Sequence, residues 1–321
     1  MKRKDASPGE GLLNIHKPPG LTSHAVVAVV RRLTRVGRVG HAGTLDPQAT
    51  GVLLVALGQG TKLVQFLHEL PKSYRATLRL GIRTDTQDGT GSVVAVRAVP
   101  PLAPEDVEPV LRGLQGWIQQ IPPMYSALKQ QGQRLYTLAR QGKEVERQPR
   151  RVRIFRIVLQ ALTAETLTLE VECSSGTYIR VLADDIGETL GCGAHLSELV
   201  RTAVGPFRCA EALTLDALQE AVHQGEWQRH LIPLAEAVAA FPAIVVTPDA
   251  ARALGRGIAP TAGSVASMQG TFETGDTVAV RTSAGALLAM GAAACRSSAV
   301  GLGSSSSAIV RLRRVLGASC Q

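Results

Sequence analysis

Apolar residues recur along this chain with two periods, and the switches between them predict its elements. Leu12, Leu13 and Ile15 form a short apolar run that ends in Lys17-Pro18-Pro19-Gly20, which reads as a strand entering a turn. Thr22 or Ser23 then caps a helix whose apolar residues include Val26, Val27, Val30 and Leu33. The unbroken run Val52-Leu53-Leu54-Val55-Ala56-Leu57 predicts a buried strand. Residues 61–70 read as helix. Residues 74–80 alternate apolar and polar like a half-buried strand, and residues 93–99 are predicted as its partner across the turn Asp85-Thr86-Gln87-Asp88-Gly89-Thr90-Gly91. Further along, a helix is expected over 104–114 and a strand pair over 152–159 and 167–173. A second helix is expected over 178–190, stopped by Gly191 and Gly193.

These strands and helices mix without the strict alternation that a doubly wound parallel sheet imposes. The expected fold class is therefore α+β, with a mixed, mainly antiparallel sheet flanked by helices. Residues 122–150 are rich in glycine and glutamine, with one helical piece near 135–140, and read as a long excursion from the core. From about residue 241 the texture changes, and short β-prone runs such as Thr277-Val278-Ala279-Val280 and Ala308-Ile309-Val310 sit among Gly, Ala and Ser. The chain is expected to divide into a unit spanning 1–240 and a small β-rich domain spanning 241–321, which holds a Ser-rich loop at 304–307.

Composition sharpens the choice of partner. The chain has 321 residues, 45% of them hydrophobic, with net charge +9 and a pI of about 9.7. Lysine occurs only at 2, 4, 17, 62, 72, 129 and 143, so arginine supplies most of the positive charge. Its planar fork suits phosphates and bases, so nucleic acid is favoured over a membrane surface. Arg31, Arg32, Arg35 and Arg38, then Arg147, Arg150, Arg151, Arg153 and Arg156, form two basic clusters that could track a nucleic-acid backbone or simply face water. The five cysteines show neither metal-ligand spacing nor a disulfide framework, and no apolar signal core follows the charged N-terminus, so the cytoplasm is the expected location.

No Walker loop, dinucleotide fingerprint or metal cluster is visible. What stands out is Gly40-His41-Ala42-Gly43-Thr44-Leu45-Asp46-Pro47-Gln48-Ala49-Thr50-Gly51, which sets one carboxylate in a turn bracketed by glycines. Pro47 biases Asp46 towards extended geometry. Asp46 is either a turn-forming residue or a placed reactive group. Lys17, His41, Tyr74, Tyr178 and Arg180 also sit in glycine-rich or turn contexts, and tyrosine is scarce, with only Tyr74, Tyr125, Tyr136 and Tyr178.

Taken together these segments resemble the bacterial tRNA pseudouridine-55 synthases of the TruB type. The Asp46 loop resembles that family's catalytic motif, and Lys17-Pro18-Pro19-Gly20 with Ser23 its N-terminal motif. Lys72-Ser73-Tyr74 is similar to its tyrosine strand, and Ile121-Pro122-Pro123-Met124-Tyr125-Ser126-Ala127-Leu128-Lys129 to its RNA-gripping insertion. Cys173-Ser174-Ser175-Gly176-Thr177-Tyr178-Ile179-Arg180 and Gly193-Ala194-His195-Leu196 with Leu199 and Arg201 complete the ordered set. His16 departs from the pattern, which has Asn or Asp there.

The resemblance implies a pseudouridine-synthase fold with a PUA-like C-terminal domain, and isomerisation of a uridine flipped out of the tRNA T-loop, without cofactor or metal. It makes Asp46, Tyr178 and Arg180 the catalytic residues and His41, Tyr74, Leu199 and Lys17 the substrate-binding ones. Asp46 would attack the sugar, attack the base ring or remove a sugar proton. Arg180 would pair with it, Tyr74 would stack on the uracil, and Tyr178 would take the C5 proton. His41 would fill the space the base leaves, Leu199 would line the pocket, and Lys17 would hold a phosphate or the active-site loop. The implied partner is the tRNA T-arm stem-loop, bound by a monomer, with no guide RNA, DNA or membrane. A non-catalytic RNA-binding or tRNA-folding protein on the same scaffold is the alternative.

Overall fold

In the computed structural model, which describes residues 9–126, 128–130, 132–143, 145–300 and 307–316 (backbone alone at 129, 130, 134, 136 and 140), the apolar run after Asp46 becomes the strand Thr50–Leu57, buried from Gly51 onward. It belongs to a nine-stranded sheet. Along the sheet lie Gly11–Lys17, Thr50–Leu57, Ala194–Val204, Lys72–Leu80, Thr166–Cys173, Arg150–Leu162 and Gly116–Gln120, in that order. Val39–Ala42 also pairs with Thr50–Leu57, and Phe207–Arg208 with Ala194–Val204. One contact is parallel, Thr50–Leu57 with Ala194–Val204, and the rest are antiparallel. The fold is α+β on a mixed, mainly antiparallel sheet.

One pairing differs from expectation. Val93–Val96 does not lie beside Lys72–Leu80. It pairs with Ile82–Thr84 in a separate ribbon, leaving Val93, Val94 and Val96 exposed. Lys72–Leu80 is flanked instead by Thr166–Cys173 and Ala194–Val204, and Ala76, Leu78 and Leu80 meet Leu167, Leu169 and Val171 in one core. Alternation tells which face of a strand is buried, but it carries no information about which strand lies alongside. The strand Ala194–Val204 has no simple alternation in sequence. Register shifts at Leu196/Glu198 and Arg201/Ala203 break its period, and its Arg201 is fully buried.

Helices cover the core side of this sheet. Ser23–Thr34 is capped by Thr22, whose hydroxyl accepts the Ala25 N–H at 3.0 Å. Pro104–Gly113 and Ile179–Thr189 bury Val107, Leu111, Leu182 and Ile186 against Ile154 and Ile157. The segment expected as helix over 61–70 forms a 3₁₀ stretch, Gly58–Leu63, and one α turn, Val64–Leu67. Leu135–Arg140 is helical.

A second, five-stranded sheet follows in the order Val265–Gln269, Ala243–Val246, Thr277–Arg281, Leu287–Ala293, Val310–Val315. It has its own core around Ile244, Phe272, Val278 and Val310. A further apolar cluster joins the two sheets, with Leu12, Leu63 and Phe66 on one side and Ala243, Ala279, Met290 and Leu316 on the other. Residues 304–306 of the Ser-rich loop lie outside the described residues. Among the described residues no helix is long and apolar enough to cross a membrane.

Candidate active site

The Asp46 loop leaves Val39–Ala42 and returns in Thr50–Leu57, and buried donors hold it at both shoulders. Ser23 Oγ donates to the Leu45 carbonyl at 3.2 Å and accepts the Leu45 N–H at 2.9 Å. The Gly20 N–H reaches the Pro47 carbonyl at 2.9 Å. Lys17, with no exposed surface, donates to the carbonyls of Pro18, Pro47 and Ala49 at 2.9, 2.8 and 2.7 Å. The motif Lys17-Pro18-Pro19-Gly20 with Ser23 is thus a clamp on the loop, and Lys17 holds backbone rather than reaching out to a phosphate. Burial lowers its pKa from 10.5 to about 8, with Asp46 opposing and Arg201 reinforcing the shift.

Arg201 completes the clamp from the neighbouring strand. Its Nε donates to the Val52 carbonyl at 2.7 Å, and its Nη1 and Nη2 donate to the carbonyls of Thr44 and Gly43 at 3.3 and 3.1 Å. Gly51, at φ +97°, lets the two strands approach, because a Cβ there would overlap the Arg201 carbonyl. Lys72, also buried, donates to the carbonyls of His68 and Leu70 at 2.5 and 2.6 Å, and burial lowers its pKa to about 8. Three buried cations therefore rest on carbonyl dipoles, two of them, Lys17 and Arg201, on those of the Asp46 loop.

Asp46 stands at the tip of that loop. The fork of Arg180 holds its carboxylate from one side, with Nε to Oδ2 at 2.9 Å and Nη2 to Oδ1 at 3.4 Å. The guanidinium is only 5% exposed, and it also donates to the carbonyls of Thr86 and Tyr125 at 3.1 and 2.8 Å. Asp88 Oδ2 lies 3.5 Å from its Nη1. The Asp46 side chain itself keeps 42% of its surface open to the cleft. Desolvation by the surrounding walls raises its pKa, Arg180 pulls it back down, and Asp88 adds to the rise. The carboxylate opens onto the cleft and is paired with a guanidinium, which favours its ionised form.

Two cavities meet at this pair, one of about 520 Å³ and one of about 330 Å³. Asp46, Arg180 and Leu199 line both. Tyr74, Tyr178, Lys72 and Arg201 line the smaller, and Asp88, Gly89 and Thr90 the larger. Tyr74 is buried opposite Arg201 in the strand register, and desolvation raises its pKa. Tyr178 precedes Ile179–Thr189, and Gln120 grips its backbone at both ends: Oε1 accepts the Tyr178 N–H at 2.9 Å and Nε2 donates to its carbonyl at 3.2 Å. Burial raises the Tyr178 pKa.

Of the residues singled out from sequence, the structure thus gathers Asp46, Arg180, Tyr74, Tyr178 and Leu199 around one space. Lys17 stands behind it. His41 lies apart from both cavity linings, on Val39–Ala42, with its ring edge-on to His24 at 5.0 Å. Burial lowers its pKa to about 4, with His24 as the next cause, so the ring is neutral at pH 7. Sequence reasoning missed Asp88 and Gln120. Asp88 stood inside a recognised turn and Gln120 just before a recognised motif, and nothing in their spacing singled them out. Among the described residues no three His, Cys, Asp or Glu side chains converge as a metal site would require.

Comparison with known proteins defines the class. The profile of the TruB family pseudouridylate synthase N-terminal domain matches residues 31–179, that of the tRNA pseudouridylate synthase B C-terminal domain matches 180–239, and that of the PUA domain matches 242–311. A tRNA pseudouridine synthase B from Syntrophotalea carbinolica is 48% identical over 277 residues, covering 86% of this chain and 90% of the relative. Its namesake from Heliobacterium modesticaldum is 48% identical over 253 residues, 78% of this chain and 81% of the relative. A chain in the crystal structure of a Cbf5-Nop10-Gar1 complex superposes with TM-score 0.79 at 29% identity, covering 95% of this chain and 84% of that one. The chain belongs to the TruB family of pseudouridylate synthases.

Proposed function

We propose that this enzyme isomerises uridine to pseudouridine at position 55 in the T-loop of tRNA, acting as a single chain in the cytoplasm without guide RNA or cofactor. Its relatives' shared name, tRNA pseudouridine synthase B, supports the substrate. The observation that carries the residue assignment is the Asp46–Arg180 pair, held where two cavities meet and walled by Tyr74, Tyr178 and Leu199.

The reaction breaks the bond from C1′ to N1, turns the uracil, and joins C1′ to C5. The C5 proton is released and N1 takes one up, so the base changes its attachment and nothing else is consumed. Asp46 starts this chemistry by attacking the sugar, attacking the ring or removing a sugar proton. Each route requires one ionised, aimed carboxylate, which the Arg180 fork provides. The target base flips out of the stack at a cost of a few kcal/mol. Stacking on Tyr74 offsets this by about 1–3 kcal/mol. Leu199 lines the pocket as an apolar wall. His41, neutral at working pH, takes the space the base leaves. Tyr178 receives the C5 proton. Burial keeps its phenol protonated at rest, so it acts as a relay, giving its own proton to solvent in the open cleft as it accepts the one from C5.

Tritium release from unmodified tRNA labelled at uracil C5 tests this reading. Wild-type protein is expected to release tritium without added guide RNA, and Asp46→Asn to release none while still binding tRNA. Equal release from both proteins would remove Asp46 from the mechanism.

A further inference from the structure

The second arginine cluster ends on a surface that the reaction does not use. Gly116–Gln120 is the last strand of the large sheet, and among the described residues no strand pairs with its outer edge. It pairs with Arg150–Leu162 in the register Arg153 to Trp117 and Arg151 to Gln119. Ile154 lies in the core that also holds Tyr74 and Leu45, and the buried Val152 pairs with Ile118, which packs against it, so by alternation Arg151, Arg153 and Phe155 point to the opposite face. There Trp117 is 55% and Phe155 43% exposed. The Arg151 guanidinium sits 4.4 Å from the Trp117 ring centre, and that of Arg153 lies 5.8 Å from Trp117 and 5.3 Å from Phe155. Farther along, Arg156 pairs with Glu170, whereas among the described residues Arg151 and Arg153 form no ion pair. Large exposed aromatic rings interleaved with uncompensated arginines form a surface matched to bases and phosphates together.

We propose that this outer edge, Trp117 and Phe155 with Arg151 and Arg153, is a second RNA-binding site that takes an unpaired segment of the tRNA outside the T-arm hairpin. The proposal rests on the tRNA reading above. Aromatic faces accept only unstacked bases, which selects a single-stranded segment. Position on the face opposite the core places the segment beyond a hairpin seated in the cleft, reached around the outer strand edge.

The test compares full-length unmodified tRNA with an isolated T-arm hairpin, by fluorescence anisotropy over a range of salt. Trp117→Ala/Phe155→Ala is expected to weaken full-length tRNA binding about tenfold, the equivalent of about 1.4 kcal/mol, with hairpin affinity and turnover unchanged. Arg151→Gln/Arg153→Gln is expected to flatten the salt dependence of full-length binding by roughly one to two phosphate contacts, again without effect on the hairpin. Unaltered affinity for full-length tRNA in both variants would overturn the proposal and leave the face to a protein partner. Equal losses on tRNA and hairpin would also overturn it, by making the patch part of the cleft. Failure of the wild-type protein to release tritium would sink the tRNA reading instead, and the affinity pattern would still decide the patch.

Discussion

At the scale of single residues, the site is organised by charges that do not themselves react. Lys17 was legible as a motif residue, but its role was not, since a lysine after a strand could equally face a phosphate. In the fold it is buried and donates to three carbonyls. Lys17→Met would leave those carbonyls without a donor and is expected to lower stability by about 2–4 kcal/mol, measured as a shift in urea midpoint, and to slow turnover through a displaced Asp46. His41 makes a different prediction. Its folded pKa of about 4 lies below its unfolded value of 6.5, so below pH 6.5 the unfolded chain binds a proton that the folded protein refuses. The stability this group contributes is complete above pH 6.5 and lost as pH falls towards 4. Urea midpoints from pH 7 to 4 should decline more steeply for the wild type than for His41→Gln, and parallel declines would contradict the assignment.

At the scale of elements, the strand Thr50–Leu57 explains why the loop before it is rigid. It is buried, it is clamped by Gly11–Lys17 on one side, and it meets Arg201 in the sheet's parallel contact on the other. Gly51 is the residue that permits this contact. Gly51→Ala combines a positive φ with a Cβ overlapping backbone, strain of at least roughly 1–3 kcal/mol, and is expected to lower the melting temperature and turnover together. An unchanged melting temperature would show that the strands can separate there without cost. The apolar run made this strand legible. The pairing of Val93–Val96 was misread because two strands with matching periodicity and a short turn between them suggest a hairpin, and only competition for the core sends each to a different neighbour.

At the scale of the whole molecule, the two sheets share an apolar cluster, and polar links cross beside it. Thr277 Oγ1 donates to Glu69 at 2.7 Å, and Lys62 Nζ donates to the Val315 carbonyl at 3.2 Å. The change in sequence texture near residue 241 suggests a module that could be removed at the cost of RNA affinity alone. The shared cluster predicts more. Truncation after residue 240 would uncover apolar side chains such as Leu63 and Phe66, at about 1.5–3 kcal/mol for each one fully exposed. The shortened protein is expected to melt several degrees lower, and the intact chain to melt in a single calorimetric transition. Two separated transitions in the intact chain would mean that the cluster does not couple the sheets.

The sequence by itself determined many of the elements, though not the strands Gly116–Gln120 and Ala194–Val204 or the form of residues 61–70, together with the α+β class and the small set of residues in which chemistry had to be sought. Periodicity, turn residues and ordered motifs are local properties, so they survive in one dimension. Tertiary structure alone decided which strand lies beside which, that Lys17 and Arg201 face backbone carbonyls, that Asp88 joins the Arg180 pair, and that Gln120 holds Tyr178. Each of these depends on groups far apart in the chain meeting in a space that excludes water, where a buried charge must find whatever dipole or carboxylate the packing has brought within reach.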